Sequence, residues 1–291
     1  MEATMIGTTR NRHNIRRGSL ALILIILSLL ALVGPAIAGP VPGTTLVFAG
    51  SGSNLPITRI LAQAFQRSHP GISIEVPASI GSSSGIRAAA DGAIAIGLIS
   101  RPLKESEKGL GLDVITYAHT PLVIAVHPSV AEEEISSAAI IDIYRGKKRT
   151  WRDGAEIIVL TREPGDSTIV VLTKSVPGFG AVYEESRLAK RWAVLLNDLE
   201  MVTFLAKTPH AIGFSDLGAL TVEQQRIKPL RVNGVAPTLE NAQTGKYPLV
   251  KPLMFVYHQE KLPPAAREFL AYVRSQEVAR ILRANGYLPE K

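Results

Sequence analysis

From residue 44 onward, short runs of β-branched and aromatic residues alternate with longer stretches in which apolar residues recur every three or four positions. The short runs predict strands at 46–49, 72–76, 93–99, 114–117, 122–126, 157–160, 211–214, 230–232 and 253–256. Helical periodicity predicts helices at 56–68, 84–90, 137–144, 179–188, 198–207 and 265–285, with Pro56 suited to a first helical turn. Most of the strands are too apolar to have one face in water. Strands of that kind alternating with helices imply an α/β fold, a mainly parallel sheet covered on both faces. The last helix places Phe269, Tyr272, Val273, Val278, Ile281 and Leu282 on one face, opposite Arg267, Glu268, Arg274 and Arg280, and Gly286 ends it. Trp151 and Trp192 read as packing residues.

The first forty residues follow a different pattern. Arg10, Arg12, Arg16 and Arg17 precede an uninterrupted run of apolar and small residues at 20–33, followed by Ala36-Ile37-Ala38. A basic head, a short apolar stretch and small residues at a cleavage point describe a signal peptide over 1–38, cut after Ala38. At about 1.5 Å per residue the run spans roughly 21 Å as a helix, short of the ~30 Å hydrocarbon core. Export to the periplasm is therefore expected, with an uncleaved inner-membrane anchor as the alternative. Cleavage would leave 28 basic against 24 acidic residues, so the formal charge of +7 falls to +4 and part of the basic character belongs to the leader.

The chain has 291 residues, enough for one large or two medium domains, and no cysteine. Disulfides, thiolate-ligated metals and a cysteine nucleophile are excluded. Bases are dispersed apart from Arg145-Gly146-Lys147-Lys148-Arg149, which reads as a solvated loop. With aromatics at 5%, nothing suggests a nucleic-acid platform. The six histidines are isolated from one another, against a zinc site, and no Walker motif is present.

Candidate chemistry concentrates where predicted strands give way to helices. Gly50-Ser51-Gly52-Ser53-Asn54 follows the first strand, Ser79-Ile80-Gly81-Ser82-Ser83-Ser84-Gly85 the second, and Thr161-Arg162-Glu163-Pro164-Gly165-Asp166-Ser167-Thr168 the strand at 157–160. Arg101 stands just beyond the strand at 93–99. Unpaired amides at helix starts, hydroxyl donors and guanidinium groups together make a cradle for a small oxyanion. Gly81-Ser82-Ser83-Ser84-Gly85 also satisfies the G-x-S-x-G pattern of a serine hydrolase, with Ser83 as nucleophile. His210 and His258 are the only late histidines available to serve it, and neither has an acid marked out as its partner.

These loops, with Ile96-Gly97-Leu98-Ile99-Ser100-Arg101-Pro102-Leu103, Ile143-Tyr144-Arg145-Gly146-Lys147, Ala211-Ile212-Gly213-Phe214 and Gly245-Lys246-Tyr247-Pro248 in that order, resemble the periplasmic phosphate-binding proteins of phosphate ABC transporters over about residues 44–290. The resemblance implies a two-lobed type II periplasmic-binding-protein fold with a two-crossover hinge. Lobe one would be 44–119 plus 229–291, and lobe two 120–228. It further implies a monomeric solute-binding protein that holds phosphate or a related oxyanion for a permease and an ATPase, with no cofactor and no enzymatic step.

Ligand contacts would then fall on Ser53, Asn54 and Leu55, on Ser82, Ser83 and Ser84, on Arg101, and on Arg162, Asp166, Ser167 and Thr168. Two positions depart from the family pattern: Arg101 stands where many members have an aspartate, and Asp166 where a hydroxyl is usual. On this reading Arg101 and Arg162 supply charge, while Asp166 accepts the ligand's proton or fixes Arg101. A membrane-anchored anion sensor or scaffold with the same site remains an alternative.

Overall fold

The protein is described by a computed structural model covering Met1, Glu2 and residues 43–224 and 226–290. The leader, its apolar run and the cleavage site after Ala38 lie outside the described residues. The chain begins with β1 (Thr44–Gly50), α1 (Leu55–Ser68), β2 (Ile72–Glu75), α2 (Gly81–Asp91) and β3 (Ile96–Ile99), followed by the short α3 (Glu105–Lys108) and the long β4 (Asp113–Val126). Then come β5 (Glu134–Ile135), α4 (Ser137–Arg145), β6 (Ile158–Arg162), α5 (Ser167–Ser175), α6 (Phe179–Leu188), β7 (Ala193–Leu195), α7 (Asp198–Lys207), β8 (Ala211–Asp216) and α8 (Leu217–Glu223). The chain returns through β9 (Lys228–Pro229), β10 (Arg231–Val232), α9 (Leu239–Gln243) and β11 (Val250–Tyr257), and closes with α10 (Pro264–Val273), α11 (Gln276–Ala284) and β12 (Leu288–Pro289).

One sheet runs β2-β1-β3-β11-β4-β8-β6-β7, with β9 and β12 also on β4. Its two ends are parallel: β1 pairs with β2 and β3, and β6 with β7 and β8. Its middle is antiparallel, along β4 and β11. This is the α/β architecture that the alternating pattern predicts. Parallel strands joined by helices carry their binding loops at their carboxyl ends, and the β1, β2 and β6 loops lie there.

Two strands predicted separately at 114–117 and 122–126 are one. Pro121 lacks an N–H and looks like a break, but Leu122 N donates to Leu249 O at 2.8 Å and the ladder continues past it. The helix predicted at 265–285 is two instead. The first ends before Arg274, and Ser275 starts the second by accepting a hydrogen bond from Val278 N at 3.2 Å. Both halves still pack Phe269, Val273, Val278 and Leu282 into a single core.

Apolar side chains form two large cores. One holds Phe48, Phe65, Tyr117, Phe255 and Phe269; the other holds Leu122–Val126, Tyr144, Phe179, Phe214 and Leu249. β4 gives residues to both, and β11 gives Leu253 and Phe255 to the first. Leu230, Val232, Tyr247 and Leu249 pack in the second core, and Tyr247 OH donates to Leu122 O at 2.7 Å. Segment 229–249 therefore shares a core with the part of β4 beyond Pro121. The return to the first core comes between Leu249 and Leu253.

Candidate functional site

The β1 loop turns at Gly50, whose φ of 153° and whose contact with the Leu98 backbone leave no room for a side chain. Gly85 of α2 packs against the Cα of Gly50 for the same reason. These close approaches bring the first two loops together. Ser51 Oγ and Ser100 Oγ share a 2.9 Å hydrogen bond, and Ser79 Oγ donates to Gly50 O at 3.0 Å.

A cavity of about 210 Å³ lies between these loops and the β6 loop. Ser51, Gly52, Ser82 and Ser83 form one wall, and Arg162, Asp166, Ser167 and Asp198 face them. A second cavity, of about 260 Å³, lies beyond Gly52 and Asp198. Its walls are mostly apolar, with Asp198, Asp216 and Glu223 beside Arg59. The first cavity has the same balance of charge, Glu163, Asp166 and Asp198 beside Arg162, and differs in the serine hydroxyls and loop backbone that line it, which suit a small polar ligand.

Arg162, at the end of β6, is 3% exposed. Nε donates to Glu163 at 3.3 Å, and Nη2 donates to Asp166 Oδ2 at 3.0 Å and Leu196 O at 3.3 Å. Nη1 is buried without a hydrogen bond among the described residues and has only an ionic contact, 3.4 Å from Asp198 Oδ1. A buried guanidinium with one unspent N–H edge suits an incoming oxyanion. Burial opposes its charge, but Asp198, Asp166 and Glu163 more than offset that and hold Arg162 protonated.

Asp166 has both oxygens committed: Oδ1 accepts from Thr168 N at 2.9 Å, capping α5, and Oδ2 accepts from Arg162. Asp166 therefore does not fix Arg101, contrary to the expectation from the sequence. Glu107 of α3 holds Arg101 through bidentate bonds of 2.7 and 2.8 Å, and Arg101 Nη2 also donates to Ser83 Oγ at 2.8 Å. Arg101 is 2% exposed and lies behind the cavity wall, acting on it through Ser83. The Ser83 hydroxyl accepts from this guanidinium, and among the described residues it has no hydrogen bond to a histidine or carboxylate that could serve as its base.

Of the remaining predicted residues, Ser82, Ser83, Arg162, Asp166 and Ser167 line the cavity and Ser84 does not. Asn54 is a buried strut: Nδ2 donates to Ser100 Oγ at 2.7 Å and Ile99 O at 3.2 Å, and Oδ1 accepts from Tyr117 OH at 2.9 Å. Leu55 opens α1 and packs in the first core. Ser53 and Thr168 are buried, each next in the chain to a lining residue, Gly52 and Ser167, and both accept from Lys251.

Three charged residues escaped sequence reasoning. Asp198, the first residue of α7, brings its carboxylate against Gly52, where any β-carbon would collide with it. Burial pushes its carboxyl up to about 6, against the pull of Arg162 and with the help of Asp166. Lys251, 1% exposed, pairs with Asp216 Oδ1 at 2.9 Å. Lys251 had a visible signal, a lone charge in the apolar run of β11, and a lysine is seldom buried unless paired. Asp198 and Asp216 had none, because a helix start explains an aspartate fully. No group of residues among those described could hold a metal ion, and no described helix is long and apolar enough to cross a membrane.

The fold and these loops can be set beside known proteins. A family model described as a PBP superfamily domain matches residues 35–277. The chain belongs to the periplasmic-binding-protein (PBP) superfamily. It is 26% identical over 258 residues to the phosphate-binding protein PstS of Bacillus subtilis, covering 84% of this chain and 80% of that one. A phosphate ABC transporter substrate-binding protein from Clostridium perfringens, solved with bound phosphate, superposes with a TM-score of 0.78 at 28% identity, covering 85% of this chain and all of the other. An ABC-type phosphate transport receptor from Vibrio cholerae shares the fold, with a TM-score of 0.62 at 22% identity over 84% of this chain and 99% of that one.

Proposed function

We propose that this PBP-superfamily chain is an exported solute-binding protein that captures inorganic phosphate between two lobes and delivers it to an ABC transporter's permease and ATPase. The observation that carries this reading is Arg162, whose buried Nη1 has no hydrogen bond among the described residues and which shares with Ser51, Ser82, Ser83 and Ser167 the lining of a cavity sized for a small anion. The relatives named above support phosphate as the anion. The hinge is assigned to β4, which gives residues to both cores, and to the return between Leu249 and Leu253, so that lobe two takes in the 229–249 segment as well as 120–228.

Selectivity is assigned to Asp198. A carboxylate beside the anion accepts a proton-bearing phosphate oxygen and repels a fully ionised sulfate. The protein performs no bond chemistry on this reading, and its site works by charge and hydrogen bonding alone. Export is assigned to cleavage after Ala38, which N-terminal sequencing of the secreted protein would read as Gly39.

Isothermal titration with phosphate, with sulfate as competitor, tests the proposal. Phosphate should bind without interference from sulfate. Arg162→Ala should weaken binding by roughly tenfold to more than a hundredfold, since a hydrogen bond to a charged group is worth about 1.5–3 kcal/mol. Absence of heat from folded, ligand-free protein, or an Arg162→Ala variant as tight as the parent, would refute it.

A further inference from the structure

Lys251 is the only charge in β11, and it sits opposite Thr120 of β4, between Leu249 of the second core and Leu253 of the first. Its ammonium donates to Ser53 Oγ at 3.0 Å, to Thr168 Oγ1 at 3.0 Å and to Asp216 Oδ2 at 3.2 Å. An ammonium has three N–H groups and no acceptor, so all three are spent. Burial works against the charge, while Asp216, Asp198 and Asp166 raise the basicity of Lys251 and keep it protonated.

The two hydroxyls matter most. Each accepts from Lys251, so each keeps its own O–H to donate, and among the described residues neither finds an acceptor. Both are buried, at 1% and 3% exposure, where an unpaired donor is costly. Ser53 follows β1 of the first core, and Thr168 belongs to α5, which packs its Ile169 and Leu172 in the second. Their chain neighbours Gly52 and Ser167 stand on opposite walls of the 210 Å³ cavity. One ammonium therefore orients two hydroxyl donors, one from each side, and leaves their protons to a third party.

We infer that Lys251 is a positioning residue for the bound oxyanion: it fixes Ser53 and Thr168 as donors, and the anion is the acceptor both lack. The inference rests on the oxyanion reading of the site, though not on phosphate being the anion. It adds to the binding site a strand on the hinge, so that occupancy on both sides of the cleft is sensed at one nitrogen.

The test is titration of the full chain with phosphate, arsenate, sulfate and molybdate, in the parent and in Lys251→Met/Asp216→Asn. Removing both members of a buried pair leaves no uncompensated charge, which is often neutral or stabilising, so this variant should fold, as thermal melting would check. It should bind the preferred anion at least about tenfold more weakly, a loss of about 1.4 kcal/mol. Ser53→Ala should weaken the parent but cost little in the Lys251→Met/Asp216→Asn background, a coupling that a purely structural lysine would not produce. A folded double variant within about twofold of the parent, or equal Ser53→Ala costs in both backgrounds, would overturn the inference.

Ser53→Ala and Thr168→Val in the parent background give a second reading that does not depend on the fold of a lysine variant. Two donors held by one ammonium should be coupled, and strict additivity would also overturn the inference. If the parent binds another oxyanion but not phosphate, the proposed function fails and Lys251 is judged on that anion. If folded, ligand-free parent binds none of the four, both fail.

Discussion

Asp198 is held in a state that costs the protein stability, and Asp198→Asn should reveal how much. Its carboxyl ordinarily titrates near 3.8 and here is pushed up to about 6, chiefly by burial; 29% of the side chain is exposed. Between those values the folded chain still holds a proton that the unfolded chain has lost, so stability falls as pH rises through the window. A rise from 3.8 to about 6, at about 1.4 kcal/mol for each tenfold change, puts the cost at about 3 kcal/mol at most by pH 7.

Asparagine keeps the shape and removes the charge. The ligand-free variant should match the parent near about pH 4, gain on it progressively to about pH 6, and hold a constant advantage above that. Urea unfolding followed by circular dichroism at each pH supplies the free energies. A variant less stable than the parent at neutral pH would mean that the ion pair with Arg162 outweighs burial. A difference independent of pH would mean that Asp198 is not the titrating group. Stability surrendered at a cleft-lining carboxylate is the expected mark of a functional residue.

Other consequences follow from the same geometry. Asp198→Asn should also admit sulfate as a competitor for phosphate, read by titration, and unchanged exclusion of sulfate would remove Asp198 from the selectivity argument. Gly52→Ala should weaken anion binding by displacing the Asp198 carboxylate, and Asp198→Ala in the same chain should recover part of the loss; a fully tolerated Gly52→Ala would show that the two loops do not close on each other. Glu107→Ala should destabilise the fold by about 3–5 kcal/mol, because the 2%-exposed Arg101 guanidinium loses its bidentate partner. The hydrogen bond from Arg101 holds the Glu107 carboxyl below its ordinary 4.5, so in the parent the pair's contribution is complete above about pH 4.5 and is lost in acid as pH falls through the depressed value.

The α/β class was legible in the sequence because burial on both faces leaves uninterrupted apolar runs, and helices of 10 residues such as Phe179–Leu188 and Asp198–Lys207 were placed to the residue by their periodicity. The loops after β1, β2 and β6 stood out because three Gly- or Ser-bearing loops recur at strand-to-helix junctions, each alone an ordinary turn, and because their order resembled a known family. Local signals also misled. The strand pattern broke at 118–121, although Leu122, next after Pro121, supplies the next ladder bond. Ser275 looked like one more helical position, although its hydroxyl begins a new helix.

What only the tertiary structure decided is which charges meet. Sequence could offer Arg101, Arg162 and Asp166 as cradle residues, but pairing depends on distances between segments far apart in the chain. Glu107 claims Arg101, while Asp166 turns to Arg162 and caps its own helix. Lys251 meets Ser53 across 198 positions and Thr168 across 83 because it sits between Leu249 of the second core and Leu253 of the first. Periodicity reports which face of an element is apolar, a property of neighbours in sequence. A buried ammonium and its partners are a property of neighbours in space, and the free energy that keeps them there appears only once water has been excluded.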